Sequence, residues 1–107
     1  MNIYRHGDLL IREIKELPKT IKKLVKTDKF VLAEGETTGH KHLLKDKTKT
    51  GFEVYQDVNG NFVLDLKVDA EVSHEEHKTV KIKKGIYFVE HEKEFDWFEK
   101  ATKKVVD

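Results

Sequence analysis

The sequence contains no cysteine, one proline, one methionine and one tryptophan among 107 residues. Without thiols it can form no disulfide and offers no thiolate nucleophile, so any metal must be held by histidine and carboxylate. No apolar run approaches the roughly 20 residues that a membrane-spanning helix needs. The opening Met1-Asn2-Ile3-Tyr4-Arg5-His6 has no apolar signal segment either. A cytoplasmic protein outside the membrane is therefore the expectation. Proline- or glycine-rich linkers are also missing, and one domain is expected over residues 1–107.

Charge of one sign is not in excess, since 21 Lys and Arg face 20 Asp and Glu. The balance hides an asymmetry: residues 1–50 carry 12 basic against 7 acidic side chains, and residues 51–107 carry 9 against 13. Lys15, Lys19, Lys22, Lys23, Lys26 and Lys29 fit either a solvated surface or a phosphate-attracting strip that admits RNA or another phosphate-containing partner. The abundance of Lys and Glu resembles the composition of thermophilic proteins.

The apolar residues come in short alternating runs, the mark of strands rather than of disorder. Residues 8–14 read as a strand that Pro18 closes off, with Gly7 suited to a bulge or a close backbone approach. Residues 19–28, with Ile21, Leu24 and Val25 at near-helical spacing, read as a helical turn or a loop. Strands follow at residues 30–33 and 40–45. Asn59-Gly60 predicts a type I′ hairpin turn before the alternating strand Phe62 to Val68. Residues 79–83 and 86–91 predict a second hairpin turning at Lys84-Gly85. From Asp96 to Val106 the period changes to four, with Trp97, Ala101 and Val105, which predicts one C-terminal helix. Six or seven strands and a closing helix make the expected fold mainly β, a small antiparallel barrel or sandwich.

Four of the six histidines lie in two short segments, Gly39-His40-Lys41-His42 and Ser73-His74-Glu75-Glu76-His77. On a strand, His40 and His42 leave the same face and can grip one object. His74 and His77 lie on one side of a helical turn, or bend inward from a loop. Neutral imidazole is the commonest ligand of zinc and similar divalent ions, so His40, His42, His74 and His77 form a candidate metal site. Glu36 and Glu76 are then candidates to move protons, and Lys41 to stabilise an anionic transition state. His6 and His91, taken singly, are assigned to ordinary hydrogen bonding.

His6-Gly7-Asp8, the run from Leu32 to His42, His74 to His77, Gly85-Ile86-Tyr87 and Glu94-Phe95 together resemble a family of small uncharacterised microbial and phage-associated proteins. The resemblance implies a shared site and no particular reaction. A looser likeness links the H-x-H strand to cupins, metal-binding β-barrels. In this sequence no glutamate follows His42 at the short distance of the cupin motif, and the next acidic residue is Asp46.

Three functions fit these residues. The first is a metal-dependent hydrolase acting on a phosphodiester or nucleic acid, its divalent ion activating water. The second is a metal-independent RNA-cleaving enzyme using histidines as acid and base. The third is a non-enzymatic metal- or ligand-binding module.

Overall fold

The computed structural model describes residues 1–34, 41–75 and 77–91, and in residue 34 the backbone only. Ten strands run in chain order: β1 (Ile3–His6), β2 (Leu9–Ile14), β3 (Lys22–Thr27), β4 (Lys29–Glu34), β5 (Lys41–Lys45), β6 (Phe52–Gln56), β7 (Phe62–Leu66), β8 (Ala70–Ser73), β9 (Val80–Ile82) and β10 (Gly85–His91). They form two antiparallel sheets, one of six strands in the order β1-β2-β10-β7-β6-β3 and one of four in the order β4-β5-β8-β9. The fold is thus mainly β, but the pairing does not close into a barrel. The helix expected over residues 96–106 lies outside the described residues. Among the described residues, no helix is long and apolar enough to cross a membrane.

Alternation decides which side chains meet between the sheets. The six-stranded sheet contributes Leu9, Ile11, Phe52, Val54, Leu64, Leu66, Tyr87 and Val89 to the core, and the four-stranded sheet contributes Leu32, Leu44, Ala70, Val72 and Ile82. On β5 the inward positions are His42 and Leu44, with Asp46 buried just beyond the strand, so the alternation that buries a leucine also buries two polar groups. β1 repeats the pattern, with Tyr4 partly buried and His6 buried between exposed neighbours.

Several expectations need correction. Among the described residues the count is ten rather than the expected six or seven, because the sequence pattern gives no strand at β1, β3 or β8. β3 is the clearest departure: every side chain from Lys22 to Lys26 is exposed, and the segment is a strand because it pairs with β6 rather than because it buries a face. Lys84-Gly85 is not a hairpin turn. β9 pairs with β8 in one sheet, whereas β10 lies between β2 and β7 in the other, so the chain crosses between sheets at Gly85. A strand apolar on both faces belongs at the centre of a sheet, and β10 takes that place.

The Asn59-Gly60 hairpin exists, but its turn is wider than type I′. Only Gly60 has a positive φ, at 88°. Gly60 N–H donates to the Asp57 carbonyl at 3.1 Å, and Asp57 N–H donates to the Asn61 carbonyl at 2.9 Å. A turn closed by a left-handed glycine has the form of a three-residue hairpin loop ending in a glycine bulge. The Asp57 carboxylate accepts from the Asn59 and Asn61 amides, both at 2.9 Å, and this tightens the loop.

Asp46 organises the connection from β5 to β6. Its carboxylate, 1% exposed, accepts from the Thr48 hydroxyl at 2.6 Å, the Thr48 amide at 2.9 Å and the Gly51 amide at 2.8 Å. Burial acts to raise its pKa, but these hydrogen bonds outweigh burial and hold it below the usual carboxylate value. Asp46→Ala leaves the buried Gly51 N–H without its acceptor and should cost about 2–3 kcal/mol in urea unfolding. A loss below about 0.5 kcal/mol would mean that water replaces the carboxylate without penalty.

Candidate functional site

The β1–β2 hairpin, the start of β5 and the loop from β8 to β9 meet at one end of the molecule and bring four imidazoles together. His6 comes from β1, His42 from β5, and His74 and His77 from the loop. Ring centroids lie 4.5 Å apart for His42 and His74, 4.6 Å for His74 and His77, and 5.0 Å for His6 and His42. The remaining pairs lie at 5.5 to 6.2 Å.

Gly7 makes this approach possible. It occupies the first turn position after His6 with φ +64°, a left-handed conformation that suits glycine and a two-residue hairpin turn. A Cβ at this position would stand 3.0 Å from His42 Cε1 and 3.0 Å from His77 Nε2. The missing side chain is therefore space that the two rings occupy.

The depths of the four rings differ. His6 and His42 are buried, 2% and 3% exposed, while His74 is partly covered and His77 is exposed. Nδ1 of His6 and Nδ1 of His42 face each other at 2.8 Å. Nε2 of His6 lies 3.0 Å from the Lys78 carbonyl. A carbonyl can only accept, so Nε2 of His6 carries a hydrogen, and in the neutral ring Nδ1 is bare. Burial is the main cause that lowers the pKa of His6; the Lys78 carbonyl opposes it, and the charges of His77 and His74 add to it. Burial, then the neighbouring imidazoles of His6 and His74, push His42 down to about 4 against the opposing charge of Asp8. Both buried rings are therefore neutral near pH 7.

Asp8, in the same turn as Gly7, extends the cluster. Its Oδ2 is 2.5 Å from Nε2 of His91 at the end of β10, and its Oδ1 is 3.8 Å from Nε2 of His42. Outside the rings, Lys41, Leu43, Ser73, His74 and Glu75 line a cleft of about 320 Å³. The Lys41 amide donates to Glu75 Oε1 at 3.1 Å. A larger cleft of about 550 Å³ between Tyr4, Asp69 and Lys83 has no histidine among its described lining residues.

The expected site residues thus fare unequally. His42, His74 and His77 converge. Lys41 is exposed, points away from the buried rings by strand alternation, and reaches the site only through the cleft it shares with His74. His40, Glu36 and Glu76 lie outside the described residues. His6 and His91, expected to make ordinary hydrogen bonds, do so, His6 with the Lys78 carbonyl and with His42, and His91 with Asp8. His6 also packs among the other three rings. The alternation of Tyr4 and His6 between exposed neighbours is the signal that marks His6 as inward-facing. Nothing local marks His91, which meets Asp8 from 83 positions away.

Among the described residues, no three His, Asp or Glu groups already stand in an arrangement that would hold a metal ion. No curated protein and no solved structure matches the chain. A family match spans residues 5–92, which include every described histidine, and the chain belongs to the family described as Domain of unknown function (DUF8820).

Proposed function

We propose that the histidine cluster binds a divalent transition-metal ion, zinc or similar, and that the bound ion activates water to hydrolyse a phosphodiester. The convergence of His6, His42, His74 and His77 from three separate chain segments carries this reading. Two of the rings are buried and neutral, the form that ligates metal and the wrong form for donating a proton near pH 7. The two Nδ1 atoms stand 2.8 Å apart. Donors at about 2.0–2.1 Å from a tetrahedral ion would stand about 3.3–3.4 Å apart, so the rings need to separate by only about 0.5 Å.

The adjoining cleft supports the hydrolytic part. Lys41, Ser73 and Glu75 line it beside His74, so a group in the cleft meets an ammonium and a hydroxyl next to the imidazoles, with the Glu75 carboxylate held by the Lys41 amide. Water would add across one P–O bond to give a phosphomonoester and an alcohol. Glu36 and Glu76 are the proposed proton carriers, and RNA is the first macromolecular substrate to test.

The test is to dialyse the whole protein against chelator, add back zinc, manganese or cobalt, and assay bis(p-nitrophenyl) phosphate and RNA. One ion bound per chain, with turnover restored by metal and lost in His42→Ala, is the expected outcome. Stoichiometric binding without turnover would replace the hydrolase with a binding module. Full RNA cleavage in excess chelator would replace it with histidine acid–base catalysis.

A further inference from the structure

The outer nitrogens of the two buried rings have different surroundings. Nε2 of His6 meets the Lys78 carbonyl at 3.0 Å, whereas Nε2 of His42 faces the Asp8 carboxylate at 3.8 Å. A metal-bound histidine usually donates its other N–H to a carbonyl or a carboxylate, which fixes the tautomer and the plane of the ring. His6 already has such a partner. We propose that Asp8, itself held by His91, plays this part for His42, so that His42 presents Nδ1 to the metal as His6 does. The inference rests on the metal-binding reading above, and it makes Asp8 and His91 positioning residues rather than ligands.

The geometry supports this in three steps. First, Oδ2 of Asp8 is occupied by His91 at 2.5 Å, which turns Oδ1 toward His42. Second, 3.8 Å exceeds a direct hydrogen bond but is a gap that one water or a small ring movement spans. Third, once Nε2 of His42 carries the hydrogen for Asp8, Nδ1 is bare. In this structure Nδ1 of His6 is bare and accepts the Nδ1–H of His42 at 2.8 Å, so moving the His42 hydrogen to Nε2 would leave both Nδ1 atoms bare. Two bare nitrogens repel each other at that spacing, and a cation held by both, at the wider separation of ligand atoms, removes the repulsion. Without the ion His42 keeps its hydrogen on Nδ1 for His6, so loading the site switches His42 between tautomers.

The experiment uses the full chain with zinc alone as the probe. Zinc affinity is measured by competition with a chromophoric chelator for the wild type, Asp8→Ala, Asp8→Asn and His91→Gln. Long-range ¹H–¹⁵N spectra of the zinc-loaded wild type then identify the nitrogen through which His42 binds. The expected result is Nδ1 ligation with hydrogen on Nε2, and a 10- to 100-fold weaker affinity in Asp8→Ala. Asp8→Asn keeps an acceptor oxygen and should fall between Asp8→Ala and the wild type, as should His91→Gln. Asp8 is half exposed in a turn, and if Asp8→Ala misfolds, Asp8→Asn and the spectra decide. Unchanged affinity in the folded Asp8 variants, or ligation of His42 through Nε2, overturns the role of Asp8 and leaves the metal site standing. A wild type that binds no zinc overturns the metal site itself.

Discussion

Acidifying the metal-free protein from pH 7 to pH 4 should remove about 3 kcal/mol of stability through His42 alone. The folded state holds His42 neutral down to about pH 4, because burial and the imidazoles of His6 and His74 oppose its protonation. The unfolded chain protonates the same ring near the ordinary value of 6.5. Above that pH both states are neutral and native stability is complete. Below it the unfolded state binds a proton that the folded state refuses, and stability falls by about 1.4 kcal/mol per pH unit. The loss is complete once the pH drops through the folded value of about 4.

His6 acts in the same direction, and its share is not independent because the two rings oppose each other's charge. Asp46 is separable by pH. Its carboxyl is held below its ordinary value of 3.8, so its contribution is kept above that value and lost only at lower pH. The measurement is urea unfolding in chelator at pH 7, 5.5 and 4 for the wild type and His42→Gln, which keeps a polar side chain beside His6. The variant should lose about 3 kcal/mol less across the window. Equal slopes in the two proteins would mean that His42 is not held neutral by the fold.

How far the sequence discloses this site depends on which interactions are local. Period-2 alternation is local, and by itself it places His42 with Leu44 on the inward face of β5. Applied to Tyr4 and His6, the same alternation places His6 inward, but β1 has only four residues, and one short alternation is weak evidence for a strand. Pairing between distant segments is not local. β3 has no buried face to betray it, and its strand character comes from hydrogen bonds to β6, nearly thirty residues later. Residues 79–83 and 86–91 are legible as strands, yet not as members of different sheets. Alternation tells which face a residue takes, whereas the choice of partner depends on how the two sheets stack. The contact between Asp8 and His91 is the extreme case, a product of β2 pairing with β10.

Gly7 offers the most direct test of how the hairpin builds the cluster, and Gly7→Ala should cost about 2–3 kcal/mol. Two effects combine. A left-handed φ of 64° costs a side-chain-bearing residue about 1–2 kcal/mol. The added Cβ also meets His42 Cε1 and His77 Nε2 at 3.0 Å, closer than carbon and nitrogen atoms pack. His77 is exposed and can swing outward, but His42 is buried and hydrogen-bonded to His6, so relief there must disturb the ring pair. Gly60→Ala separates the two effects. Its φ is 88°, yet its Cβ would meet nothing nearer than Gln56 Nε2 at 4.0 Å, so it registers backbone strain alone. Gly7→Ala should therefore be the more destabilising of the two by about 1 kcal/mol, and only it should shift the ring resonances of His42 and His77. Equal losses in the two variants, with the His42 resonances unmoved, would show that Gly7 serves the turn and not the imidazoles packed against it.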